Sequence, residues 1–245
     1  MRPSPRPSPA VIEVQTEHAS HADDRRRAAG LLGGLAVLIA LAIVVGSQLS
    51  SATSVDVHIS AWFLDHRTQR LDSVTAFFSD MASTPVIIGI GLLVVAVCLA
   101  RRAYDASSLI VVAMAGEIVM FLSVTFVVER PRPDIVRLDA APPTSSFPSG
   151  HTLAAFVLWT AIAVIAARRA TARPVVLWTT RILAMLMPLA VGLSRVYRGM
   201  HHPTDVIASS LLGAAWMTAV VLLFSRPIGW IPVIRPDLPV GRNTR

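Results

Sequence analysis

"PVVLWTTRILAMLMPLAVGLSRVYRGMHHPTDVIASSLLGAAWMTAVVLLF", residues 174–224, is two apolar runs joined by a charged dozen, "SRVYRGMHHPTD" at 194–205. Each run approaches the ~20 residues a helix needs to cross a ~30 Å hydrocarbon core. The charged dozen then falls at one membrane surface. Its two arginines, two histidines and one aspartate are dense for a chain that is 53% hydrophobic and 15% charged. That composition excludes an ordinary soluble domain.

The same pattern recurs along the 245 residues. Six apolar stretches are predicted as membrane spans: 31–49, 81–100, 106–128, 151–167, 174–193 and 206–224. The fold class is therefore an all-α integral membrane bundle of six transmembrane helices, occupying 25–226. Residues 1–24, rich in Pro, Ser and charge, read as a disordered cytoplasmic tail, and 227–245 as a Pro-rich one. Between the first two spans, apolar residues from Ile59 to Phe78 recur at helical spacing among Asp, His and Arg, which predicts helices lying in the interface.

Arginines set the orientation. Arg25, Arg26 and Arg27, Arg101 and Arg102, Arg168, Arg169 and Arg173, and Arg226 all fall in connections on one side, expected to be the cytoplasm of a bacterial plasma membrane. A cleaved signal peptide over 25–52 is the competing reading, for which the apolar run is long. No lysine occurs, so the net charge of +7 is all arginine and points to no nucleic-acid partner. Cys98, the only cysteine, permits no intrachain disulfide.

The opposite, extracytoplasmic side holds "ERPRPD" at 129–134, "FPSGHT" at 147–152 and the charged dozen. Phosphoryl transfer needs rigid positive donors, an in-line nucleophile and an acid for the leaving oxygen. Arg132 and Arg195 suit the first role, since a guanidinium fork can grip phosphate through two bonds and stays charged. Ser149 stands at an expected helix N-cap and Gly150 allows close approach to a helix start, which binds anions. Asp205 follows His201 by four residues and is expected to accept a hydrogen bond from one imidazole nitrogen, which fixes the tautomer and leaves the other nitrogen bare for attack. His202, offset around the helix, is expected to lack such a partner. No carboxylate or histidine cluster has metal-ligand spacing, so neither metal nor other cofactor is expected. Glu117 and Arg181, both in apolar surroundings, are expected to pair.

"FPSGH" and Ser194-Arg195, five residues, His201, three residues, Asp205 resemble the second and third signatures of the type 2 phosphatidic acid phosphatase family. That resemblance covers roughly residues 55–224. It implies a lipid phosphatase with His201 as nucleophile, forming a phosphohistidine, and His151 as the acid and later the base. The first signature, a lysine, six residues and Arg-Pro, is met at Arg132 and Pro133, but Thr125 stands at the lysine position. Arg130 is a candidate to take over that phosphate contact, and Arg198 a candidate for the pocket mouth. The implied partner is a lipid phosphate in the bilayer: a polyprenyl diphosphate, phosphatidic acid or phosphatidylglycerol phosphate. A phosphotransferase with the same site, or a weakly catalytic lipid-binding or transport protein, is the alternative. Oligomeric state is not legible.

Overall fold

In the computed structural model, residues 9–169 and 173–224 are described, with side chains from residue 25 onward. The tail at 227–245 and Arg226 lie outside the described residues. Among the described residues eight helices follow one another: α1 (Pro9–Gln48), α2 (Ser54–Asp65), α3 (Gln69–Met81), α4 (Thr84–Ala100), α5 (Tyr104–Val127), α6 (Gly150–Arg168), α7 (Pro174–Tyr197) and α8 (Pro203–Leu223).

Five of these are long and apolar enough to cross a bilayer: the Arg25–Gln48 part of α1, α5, α6, α7 and α8. The expected second span is broken near its start. Its 81–100 stretch breaks after Met81, and α4 has 17 residues, about 25 Å of helix. It counts as a crossing only together with α3, from which it bends by 49°. Pro85 in its first turn suits a helix start, because the missing N–H has no intrahelical partner there. Helix α1 begins at Pro9, inside the stretch expected as a disordered tail.

Helix α6 is the centre of the bundle, packing against α4, α5, α7 and α8. Leu109, Ile110 and Met120 of α5, Leu153, Val157 and Leu158 of α6, and Trp216 and Val220 of α8 form its core. Outward faces are as apolar as the inside: Leu41, Leu92, Val111, Phe126, Leu186 and Leu211 are all exposed. Bilayer hydrocarbon accounts for such faces, because lipid offers apolar side chains what a core would. Association then rests on close packing more than on water exclusion. Gly116 illustrates this: a Cβ there would lie 2.0 Å from the Trp216 ring, whose Nε1–H donates to Ala113 O at 2.8 Å.

The expected Glu117–Arg181 pair does not form. Glu117 is buried inside the bundle, whereas Arg181 is on the exposed face of α7 and stacks over Trp178 at 5.5 Å. The segment expected to hold interfacial helices forms α2 and α3. Thr53 and Asp56 close a capping box at the start of α2, and Thr68 caps α3. α2 rests on α7 and α8, and α3 on α7.

Candidate active site

Three connections meet at one end of the bundle: the extended segment 128–149 after α5, the start of α6, and the turn 198–202 between α7 and α8. Gly199 at φ +72° makes the turn possible, a backbone conformation that a Cβ would strain. His201 follows it and is 4% exposed.

The Nδ1–H of His201 donates to the Ser146 carbonyl at 2.6 Å. A carbonyl can only accept, so the neutral ring carries its proton on Nδ1 and leaves Nε2 as a bare lone pair. This corrects the expected role of Asp205, whose Oδ2 is 3.9 Å from Nδ1 and beyond hydrogen-bond reach. Asp205 acts one step removed. Its Oδ2 accepts from Ser146 Oγ at 2.6 Å and from the His202 amide at 2.9 Å, so it holds the residue whose carbonyl orients His201.

Arg130 is buried and does not take over a phosphate contact, which corrects the second expectation. Its Nη1 pairs with Asp205 Oδ1 and its Nη2 with Asp56 Oδ2 at 2.8 Å, with all three side chains shielded from solvent. Thr204 completes the cluster: its amide and hydroxyl donate to Asp56, at 3.0 and 2.9 Å. Burial opposes ionisation of Asp56, yet the hydrogen bonds from Thr204 and Thr53 hold its carboxyl below the ordinary value.

Of the four candidate arginines, Arg132 and Arg195 remain to face an anion. Every hydrogen bond of Arg132 goes to a neutral oxygen: Met200 O at 2.6 Å, and Thr144 and Ser145 at 3.3–3.4 Å. Arg195 donates through Nη1 to Ser79 Oγ at 2.7 Å and Asp139 Oδ2 at 3.0 Å, and its buried Nε has no partner. The charges of Arg195, Arg132 and His151 all act on His201. Those of Arg195, Asp139 and Arg132 act on His151, which opens the first turn of α6. His201, His151, Arg132 and Arg195 are thus near enough for their charges to act on one another.

Ser149 is the N-cap of α6, but its hydroxyl pairs with Thr152 Oγ1 at 2.9 Å and not with a backbone amide. Its amide donates to Ser209 Oγ at 2.8 Å. Helix geometry leaves the next amides without intrahelical acceptors. Gly150 lies against the Phe121 ring, where a Cβ would approach to 2.8 Å. Thr125, one turn beyond Phe121 on α5, is buried with its hydroxyl unpartnered.

Among the described residues the His202 ring has no carboxylate hydrogen-bond partner, and its Nδ1 is buried without one of any kind. The residue is buried, caps α8, and its Nε2–H donates to Pro131 O at 3.2 Å. Arg198 is buried as well. Asp139 takes its Nε at 2.8 Å and its Nη2 at 2.5 Å, so it lines no open mouth. Burial works against the Asp139 carboxylate, but Arg198 and Arg195 hold its pKa below the ordinary value. Asp56, Ser146 and Asp139 escape a reading of the sequence. Asp56 carries only a capping signal, and the other two lie in a segment without periodicity.

A sequence profile of the PAP2 superfamily matches residues 105–228, a range containing all three site segments. Undecaprenyl-diphosphatase BcrC of Bacillus subtilis strain 168 is 28% identical over 153 residues, covering 60% of this chain and 71% of that protein. Among crystal structures, the PAP2-type phosphatidylglycerolphosphate phosphatase of Bacillus subtilis superposes with a TM-score of 0.60 at 24% identity, over 76% of this chain and 93% of that one. LpxE of Aquifex aeolicus gives 0.53 at 22% identity, over 71% and 98%. These two likenesses carry the fold, while the profile match spans just over half the chain, and on it this helical membrane protein belongs to the PAP2 superfamily.

Proposed function

We propose that the protein is a metal-independent lipid phosphatase working at the extracytoplasmic face through a phosphohistidine. The observation that carries the reading is His201: its Nδ1 is committed to Ser146 O, so its free Nε2 is held among the charges of Arg132 and Arg195. Nε2 attacks phosphorus while the bond to the lipid oxygen breaks, and His151 protonates that oxygen. Water then attacks phosphorus and gives a proton to His151 as the Nε2–P bond breaks, releasing inorganic phosphate with His201 restored. Arg132, Arg195 and the α6 amides would hold the three non-bridging oxygens, a role for fixed charges and dipoles that elsewhere falls to metal ions.

The name of the relative BcrC makes a polyprenyl diphosphate the first substrate to assay, with phosphatidylglycerol phosphate and phosphatidic acid beside it. Rapid quenching with a labelled lipid phosphate should trap an acid-labile, base-stable phosphoenzyme in wild type, and His201→Ala should lose both the label and turnover. A turning-over wild type whose phosphate appears on another residue, or His201→Ala with undiminished activity, would reject the mechanism. Transfer of label to an added acceptor in preference to water would identify a phosphotransferase.

A further inference from the structure

Asp139 lies in the α5–α6 connection, outside every signature stretch, yet it is the carboxylate bound to both arginines of "SRVYR". Its position does not depend on those ion pairs alone. The Leu138 amide donates to Arg198 O at 3.1 Å, Arg67 holds Val136 O at 2.7 Å, and Ile135 packs against Gly199. The backbone therefore delivers the carboxylate to the site.

Its two arginines are treated differently. Arg198 is fully committed, with Nε and Nη2 forked on Asp139 and Nη1 on Asp72 O and Thr75 Oγ1 at 3.1 and 3.3 Å. Arg195 gives Asp139 one edge and keeps its Nε unspent. A fork on a carboxylate is geometrically the same grip that arginine makes on phosphate. Asp139 thus occupies, from inside the protein, part of the arginine surface that a phosphate group would use. Its side chain is 27% exposed, and its charge acts on His151.

We propose that Asp139 is a specificity-determining residue that sets the anion affinity of the site. It removes Arg198 from phosphate binding, shares Arg195, and repels bound substrate and product phosphate alike. The physical effect is a pocket cationic enough to capture a lipid phosphate but weakened for inorganic phosphate, so product leaves. This rests on the phosphatase reading above.

Competitive inhibition by inorganic phosphate and by orthovanadate tests it, at fixed pH and ionic strength on purified full-length protein. Asp139→Asn should lower both inhibition constants about tenfold, corresponding to ~1.4 kcal/mol, and lower KM with no rise in kcat. Asp139→Glu, which keeps the charge, should restore values near wild type. Arg198→Gln leaves Asp139 to Arg195 alone and should raise the constants, and the double variant, which removes a neutral pair, should return them toward wild type. If Asp139→Asn does not fold because Arg198 is left uncompensated, the last two variants carry the test. Unchanged or weaker inhibition in folded Asp139→Asn, or equal constants for Arg198→Gln and the double variant, overturns the role of Asp139. A wild type that neither hydrolyses a lipid phosphate nor binds these anions overturns the parent reading instead.

Discussion

The proton on Nδ1 of His201 decides what the other side of that ring can do. Burial, then the charges of Arg195 and Arg132, push its pKa well below 6.5, against the Ser146 carbonyl, which favours the protonated ring. Neutral imidazole is the nucleophilic form, so it stays populated in mild acid. The rate of phosphoenzyme formation, followed from about pH 7 to 5, should show no loss attributable to His201 near the ordinary histidine value. An acid limb at that value, moved by Ser146 substitutions that alter the carbonyl's position, would contradict the geometry. The shift also has a stability sign. The unfolded chain binds this proton more readily than the fold, so the stabilisation is present above the ordinary value and lost as pH falls below it. Sequence spacing made His201 and Asp205 legible as partners but not the step between them. A carbonyl 55 residues away carries no side-chain signal that could reveal Ser146 as the actual acceptor.

Helix α2 touches the chemistry through Asp56, and this link separates two neighbouring arginines. Arg130 lies between two carboxylates in a dry cluster, while Arg132, two residues on, is partly exposed with neutral partners only. Removing the cation from a buried ion pair strands its partners, at a cost of ~3–5 kcal/mol. Arg130→Ala should therefore lower the unfolding midpoint strongly and abolish activity together with folding. Arg132→Ala should leave the unfolding midpoint near wild type and lose kcat/KM by about a hundredfold or more, as expected when a donor to developing charge is removed. Detergent-solubilised thermal unfolding beside steady-state kinetics distinguishes them, and an Arg130→Ala protein of normal stability would refute the structural role. The long elements were readable because a membrane helix announces itself by unbroken apolar length. The break between α3 and α4 was not, since Met81 to Ser83 are compatible with a continuous apolar run, and the bend shows only in the fold, where α3 packs on α7. The Arg130 assignment failed for a similar reason: its partner Asp56 comes from a capping box 74 residues earlier.

The whole molecule is polar along its bundle axis. One end carries the arginine clusters, Arg25 to Arg27, Arg101 and Arg102, Arg168, Arg169 and Arg173, where Arg168 also ties α6 to the end of α8 through Phe224 O at 2.9 Å. The other end carries α2, α3 and every residue of the site. Arginine in short connections is retained in the cytoplasm during insertion, so the site end is expected outside, where a lipid phosphate would be presented from the outer leaflet. Cys98 is buried, which leaves the protein suited to single-cysteine labelling. Pro142, in the exposed part of the α5–α6 connection, and Arg101, at the end of α4, are exposed at opposite ends. In intact cells a membrane-impermeant maleimide should modify Pro142→Cys and spare Arg101→Cys, and permeabilisation should make Arg101→Cys reactive. The reverse pattern would place the site in the cytoplasm and confine its substrates to inner-leaflet lipids, because neither His201 nor Arg195 can be reached from the arginine-rich end without crossing the apolar core of α5, α6 and α8.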